Sequence, residues 1–344
     1  MDVKQLQSFV SAIDHGSLGK AAARISVSAS TISGYINQLE AEFGTELVVR
    51  LPQGVVPTAA GKELHQGART VLQAVEQLRD RVFAAATAEI SGLVRVCLPT
   101  SPAMLLSLPL LTRLREQHPG IRLELFEGFS GHLEEMLNQN RYDFGLLYRS
   151  TPIKGLVVEP LLDEDLVLIG GFDPDDRRDV SISELAELQF VFPSPKHGLR
   201  QIIDQAFAAQ GVRPRVIADL DTLQAMRDAA FSGLAATILS ILRPLENPKI
   251  SWRVARGIRG VSEVRSFRVL TWTEYMSGTG LQAGQPYGAS VRRLTDPFFT
   301  RTVALCRPEN APQSQAVITA ATSLADLTHQ QVLNGTWGGA RVRS

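Results

Sequence analysis

The chain has 344 residues, with 35 Lys and Arg against 35 Asp and Glu, 44% hydrophobic residues and two cysteines. At roughly 100 to 200 residues per domain this length implies two or three domains, and the balanced charge and ordinary apolar content exclude a generally disordered chain and a polybasic nucleic-acid coat. Cys97 and Cys306 each lie in an apolar run, which excludes a disulfide framework or a cysteine-rich zinc site and fits a reducing compartment.

The opening MDVKQLQSFV lacks the basic lead and continuous apolar stretch of a signal peptide, and no run is long enough for a membrane helix. The expectation is a cytoplasmic, soluble protein with no membrane partner. Val3, Leu6, Phe9, Val10 and Ile13 follow helical spacing up to Gly16. Ser17 caps a second helix carrying Ala21, Ala22 and Ile25, and Ser28 caps a third carrying Ile32, Ile36, Leu39 and Phe43 before Gly44. Leu47 to Arg50, the turn Leu51-Pro52-Gln53-Gly54 and Val55 to Pro57 read as a hairpin. Together they spell a winged helix-turn-helix over residues 1–58. Off the apolar face of the third helix lie Ser30, Thr31, Ser33, Gly34 and Asn37. Short polar side chains near a helix N-terminus suit phosphate and base-edge contacts, although taken alone they also fit a simply solvated face.

Residues 59–89 read as one long helix in which Leu64, Ala68, Val71, Val75, Leu78 and Val82 recur at alternating spacings of four and three. Such a narrow stripe is naturally covered by a second copy of the same helix, which predicts a homodimer; the alternative is packing on the chain's own C-terminal domain. From Gly92 the pattern becomes α/β. Strands are expected at Leu93 to Leu98, Ile121 to Phe126, Asp143 to Tyr148, Leu166 to Ile169, Phe190 to Phe192, Arg215 to Leu220 and Thr302 to Cys306, with helices between them, giving a mainly parallel sheet in two small lobes. Residues 331–344 read as a disordered tail.

The run FVSAIDHGSLGKAAARISVSASTISGYINQLEAEFGTELVVRLPQGVVPTAAGKEL resembles the N-terminal domain of LysR-type transcriptional regulators almost end to end. Phe9, Gly16-Ser17, Ala21-Ala22, Val27-Ser28, Ser33, Ile36, Leu39-Glu40, Gly44, Leu47, Arg50, Thr58 and Gly61 carry the likeness at uninterrupted spacing. In the second half Phe126 to Leu133, Asp143 to Tyr148, Pro193 to Arg200 and Val303 to Pro308 look like the branch containing nitrogen assimilation control proteins. The resemblance implies an α/β multidomain regulator with a winged helix-turn-helix, a linker helix that dimerises, and a two-lobed effector domain like a periplasmic binding protein over residues 90–330. Lobe one would comprise 92–162 with about 292–330, lobe two about 163–248, and about 249–290 an insertion. Implied partners are inverted-repeat duplex DNA, a second copy or a homotetramer, a small polar or anionic effector, and RNA polymerase; no cofactor and no catalysis are implied.

Carried over by motif position, the effector cleft would use Thr100, Ser101, Ser130, Ser194, His197 and Thr222. These positions also make sense without the family, since hydroxyls and free amides at strand ends and helix N-termini form pockets for anions, with Arg200 available to a carboxylate. The reading that Thr100, Ser130 and Ser194 are merely helix caps stands beside it. DNA contact would fall on Ser28, Ser30, Thr31, Ser33, Tyr35 and the wing residue Arg50, because relatives usually carry Gln at the place of Ala29 and Arg at that of Gly34.

Residues 1–60 hold four basic residues (Lys4, Lys20, Arg24, Arg50) and five acidic ones (Asp2, Asp14, Glu40, Glu42, Glu46), so counterion release should contribute modest affinity. An alternative is therefore a small-molecule sensor of the same architecture with weak or lost DNA binding. Between Lys249 and Arg301 nine basic residues face three acidic ones, with Trp252 and Trp272, which fits a surface insertion or an accessory DNA or partner contact. No catalytic motif appears, and the six histidines are scattered, so an enzyme is not expected.

Overall fold

The computed structural model describes residues 1–87, 89–149, 151–171, 179–240, 291–295 and 299–343. The first unit contains α1 (Val3–His15), α2 (Leu18–Ile25), α3 (Ala29–Phe43) and the hairpin β1 (Val48–Leu51) and β2 (Gly54–Pro57). Asp2, Ser17 and Ser28 cap the three helices by accepting backbone N–H bonds, and Gly16 and Gly44 end the first and third in the left-handed region. Phe9, Ala12, Ile32, Ile36, Leu39, Leu47 and Val55 form one buried core. Gly54 fixes the wing: with φ at +144° any Cβ there would run into the Gly16 carbonyl, which accepts the Val55 N–H at 3.0 Å.

The linker α4 (Ala59–Thr87) presents three different surfaces. Ala68 is buried with Leu6 and Val10 of α1, and the half-buried Leu64 packs against them, so the first turns of the expected dimer stripe are anchored within their own chain. Farther along, Val71, Leu78 and Val82 are 44%, 57% and 63% exposed. A separate polar row faces the chain's own effector domain. Gln66 Nε2 donates to the Asn138 carbonyl at 3.2 Å, Thr70 Oγ1 accepts from Asn140 Nδ2 at 2.7 Å, Gln73 Nε2 donates to Asp143 Oδ1, and Gln77 Nε2 donates to the Pro312 carbonyl at 2.6 Å. The two covers expected as alternatives for α4 thus belong to different faces. The polar row takes the intramolecular dock and leaves the distal apolar stripe open.

The effector domain begins with β3 (Gly92–Pro99), α5 (Thr100–Gln117), β4 (Ile121–Gly128), α6 (Ser130–Asn138) and β5 (Phe144–Tyr148). The long β6 (Leu156–Ile169) leaves this lobe for the second, which holds β7 (Val180–Ser181), β8 (Gln189–Phe192), α7 (Gly198–Ala209), β9 (Arg215–Asp219), α8 (Leu223–Phe231), β10 (Thr237–Ser240) and β11 (Val291–Thr295). β12 (Thr300–Pro308) returns to lobe one, followed by α9 (Gln315–Leu333) and β13 (Ala340–Val342). Each lobe has its own core, around Leu98, Phe144, Leu146 and Val303 in the first and Phe190, Phe192, Ile203 and Phe207 in the second.

Three expectations are corrected. The sheet is mixed, in the order β4-β3-β5-β12-β6-β11-β7, because a strand leaving lobe one and a strand coming back must run antiparallel; β12 pairs antiparallel with both β5 and β6. The return to lobe one lies at β12 and not near residue 292, since β11 pairs with the distal end of β6 and with β7, and Leu294 sits in the lobe-two core. The tail is not disordered: 331–333 complete α9, β13 pairs with β6 from Leu162 to Glu164, and Trp337 is buried in the lobe-one core. The expected insertion at about 249–290 lies outside the described residues.

Candidate nucleic-acid face and ligand cleft

Around the start of α3 the side chains form a compact hydroxyl cluster. Ser28 Oγ accepts the Thr31 N–H at 3.0 Å and lies 2.7 Å from both Ser30 Oγ and Thr31 Oγ1. Ser28 and Ser30 are exposed, Thr31, Ser33 and Tyr35 half-buried, and Arg50 reaches from the wing to donate to Asn37 Oδ1 at 2.8 Å. No described part of the chain packs within 4 Å of where a Gly34 Cβ would be, so this face of the helix is open.

The near-zero charge of the domain hides an asymmetry. Asp2 caps α1, Glu42 pairs with the N-terminal ammonium, and Glu40 accepts the N–H groups of Leu47 and Val48, tying α3 to the wing. Asp14 pairs with His65 and Arg69 of α4; burial acts to raise its pKa, but these two partners outweigh it and hold the carboxyl below its usual value. Four of the five acids are therefore spent on scaffolding, while all four basic residues, Lys4, Lys20, Arg24 and Arg50, are exposed. The sequence count could not separate engaged charges from free ones.

The second site is a cleft between the lobes with a cavity of about 40 Å³, room for a few waters or a small ion. Its lining includes Thr100 and Ser101 at the start of α5, Ser130 at the start of α6, His197 before α7, and Tyr148, Asp221, Met226 and Arg301. The helix-capping alternative does not hold for Thr100 and Ser130: α5 and α6 have Pro99 and Phe129 at their N-cap positions, neither with a side-chain cap. The hydroxyl of Ser130 is buried without a partner. Such orphan donors and helix N-termini are what an oxygen-bearing ligand would satisfy.

His197 closes the cleft mouth by meeting Phe129 of lobe one edge-on, with ring centroids 4.7 Å apart. Its Nδ1 accepts the Leu199 N–H at 3.1 Å, which puts the proton of the neutral ring on Nε2. Burial, helped by the nearby Arg301 cation, lowers its pKa from 6.5 to about 4.

Three expected cleft residues are not brought in. Arg200 is used within lobe two, donating to Asp204 and Asp219 at 2.8 Å each and to the Pro193 carbonyl at 3.0 Å. Ser194 and Thr222 do not line the cavity; the Ser194 N–H donates to Asp221 Oδ1 at 2.9 Å, and Thr222 precedes α8 without capping it. The cation that does line the cleft is Arg301, 7% exposed, its Nε on Glu164 and its guanidinium carbon 3.4 Å from the Tyr148 ring centroid. By sequence, Arg301 stands out only as the last of the basic residues between Lys249 and Arg301. The missed signal was charge inside apolar strand runs, Glu164 in one and Arg301 in the other, since such residues need one another when buried.

Cys97 and Cys306 are both in register with Gly145, from opposite sides of β5. A full strand between them places their Cα atoms about 9 to 10 Å apart, beyond the reach of a disulfide. Burial pushes both thiols up to about 12. Among the described residues no group of three or more His, Cys, Asp or Glu could hold a metal, and no helix is long and apolar enough to cross a membrane.

Residues 3–62 match the bacterial regulatory helix-turn-helix protein, lysR family, and residues 87–260 the LysR substrate binding domain. The nitrogen assimilation regulatory protein nac of Klebsiella aerogenes is 31% identical over 240 residues, covering 70% of this chain and 78% of that protein. The HTH-type transcriptional regulator CysL of Bacillus subtilis is 24% identical, covering 68% and 79%. Among solved structures, a full-length OxyR variant from Pseudomonas aeruginosa aligns with a TM-score of 0.65 at 20% identity over 94% of each chain. Full-length CbnR complexed with its target DNA aligns at 0.54 and 17% identity, covering 95% of this chain and 99% of that one.

Proposed function

The chain belongs to the LysR family of DNA-binding transcriptional regulators, with an effector-binding domain, and from that premise we propose how its own residues divide the work. Two copies pair through the open stripe of α4 around Val71, Val75, Leu78 and Val82 and present their α3 helices to the half-sites of an inverted repeat in the cytoplasm. Ser28, Ser30, Thr31, Ser33, Tyr35 and Arg50 meet the duplex. The observation that carries this reading is the uncovered α3 face beside an uncovered apolar stripe on one chain. Met104, Leu108 and Leu111 form a second exposed apolar row on α5, which suits assembly of dimers into a tetramer. RNA polymerase is a further partner of the assembled regulator.

A small polar or anionic effector occupies the cleft at Thr100, Ser101, Ser130 and His197. The cleft is narrow and is crossed by the Phe129 and His197 rings, so a ligand of more than a few atoms must part the lobes. Motion of lobe one is felt by α4 through the row Gln66, Thr70, Gln73 and Gln77, which links effector occupancy to the spacing of the DNA helices. The sensor reading without DNA binding gains no support, because the acids that depress the domain's charge are engaged in caps and ion pairs.

An electrophoretic shift with the protein's own upstream region tests the DNA half. Specific binding abolished by Ser33→Glu is expected, and no specific shift across a range of salt concentrations would overturn it. Thermal-shift screening of small carboxylates and nitrogen metabolites tests the other half: a stabiliser should be found that Ser130→Ala loses.

A further inference from the structure

The segment after α9 reaches the cleft through buried polar groups. β13 lies antiparallel on β6 with Ala340 opposite Glu164, while Arg341 pairs with Asp165 at 2.7 Å and Arg343 with Asp163 at 2.8 Å. Just before this strand Trp337, 1% exposed, donates its Nε1–H to Glu164 Oε2 at 2.6 Å. Glu164 is fully enclosed, and its Oε1 accepts from Nε of Arg301, the residue directly opposite on β12. Arg301 stacks on Tyr148 of lobe one and its Nη2 lies 3.4 Å from Ser240 Oγ at the end of β10 in lobe two. Trp337 and Glu164 therefore connect the C-terminal segment to the cation of the cleft, at the point where β6 and β12 cross between lobes.

How the two oxygens of Glu164 are shared decides what Arg301 can do. A carboxylate beside a guanidinium favours two parallel N–H···O bonds. Because Trp337 takes Oε2, the pair with Arg301, which lines the cleft, is held to Nε alone, and Nη2 lies by Ser240 Oγ. Without the indole N–H, Glu164 would be free to take a second bond from Arg301 and draw the cation away. The other charged group of the lining, Asp221, has one oxygen engaged by the Ser194 N–H.

We propose that Trp337, acting through Glu164, is a positioning residue for the effector site, and that the C-terminal segment keeps Arg301 available to an oxyanion, carboxylate or sulfate-like, in the cleft. This rests on the cleft reading above and adds its ligand chemistry and a control point outside it.

Inorganic sulfate is the probe, titrated into the full-length protein. Saturable thermal stabilisation is expected in the wild type, lost in Arg301→Gln and shifted to roughly tenfold higher concentration in Trp337→Phe, the order expected for one bond to a charged group. A Trp337→Phe protein with a lower melting temperature but unchanged sulfate affinity assigns the indole to packing alone and overturns the proposal. Trp252 and Trp272 are the other two tryptophans, so the Trp252→Phe/Trp272→Phe variant isolates Trp337. Its emission is expected to change as sulfate saturates, because an anion drawing on Arg301 alters the Glu164 carboxylate that accepts the indole N–H. Constant emission through saturation refutes the coupling even where Trp337→Phe does not fold. Sulfate binding that survives Arg301→Gln, or is absent from the wild type, instead removes the oxyanion reading of the cleft and the proposal with it.

Discussion

The face of α3 draws on one continuous stretch, from Ser28 to Arg50, and stands in solvent, whereas the cleft draws on segments scattered from Pro99 to Arg301 and encloses its cation. The two surfaces use charge differently for that reason. On the winged domain, exposed Lys4, Lys20, Arg24 and Arg50 are screened and individually weak, so binding must come from summing two copies. In the cleft a single guanidinium, out of water and fixed by Glu164 and Tyr148, acts in a low dielectric where one group can dominate.

That contrast can be broken at either end. The largest expected effect is at the enclosed cation: Arg301→Ala leaves the buried Glu164 without its charged partner and should cost about 3 to 5 kcal/mol in denaturant unfolding, while Arg50→Ala on the surface should stay within about 0.5 kcal/mol. Comparable losses for the two would erase the distinction. Next comes the pairing stripe. Leu78→Glu combined with Val71→Glu should leave a folded monomer by sedimentation and lower affinity for a two-half-site operator by roughly 100-fold or more, because the second helix no longer binds intramolecularly.

Salt sharpens the same point, since four exposed basic residues per copy limit the slope of log affinity against log salt to about −7 for a dimer. A slope near −10 would bring unseen basic residues into the contact. The cleft has a pH signature of its own. His197 titrates near 4 when folded and 6.5 when unfolded, so between these values the unfolded chain binds the extra proton. Stability should fall as pH drops from 6.5 towards 4, and His197→Gln should flatten this part of the profile measured by thermal unfolding. A small effect of opposite sign is expected at Gly34, where the open surface lets Gly34→Ala stabilise the domain by up to about 1 kcal/mol without altering its core.

The amino-acid sequence alone determined the winged helix, the long linker and the two-lobed α/β class, because capping serines, terminating glycines and helical periodicity are local instructions that the chain obeys wherever they occur. The family resemblance also named Thr100, Ser101, Ser130 and His197, residues at element ends that line one cavity between the lobes. Tertiary structure alone decided the rest. Arg200 was lost to Asp204 and Asp219 within its own lobe, and Arg301 gained its place from Glu164, 137 positions away in sequence. The apparently featureless tail became a strand because Trp337 found a buried carboxylate. Burial and the pairing of opposite charges are properties of the packed chain, and no periodicity in one segment records which distant segment will enclose it.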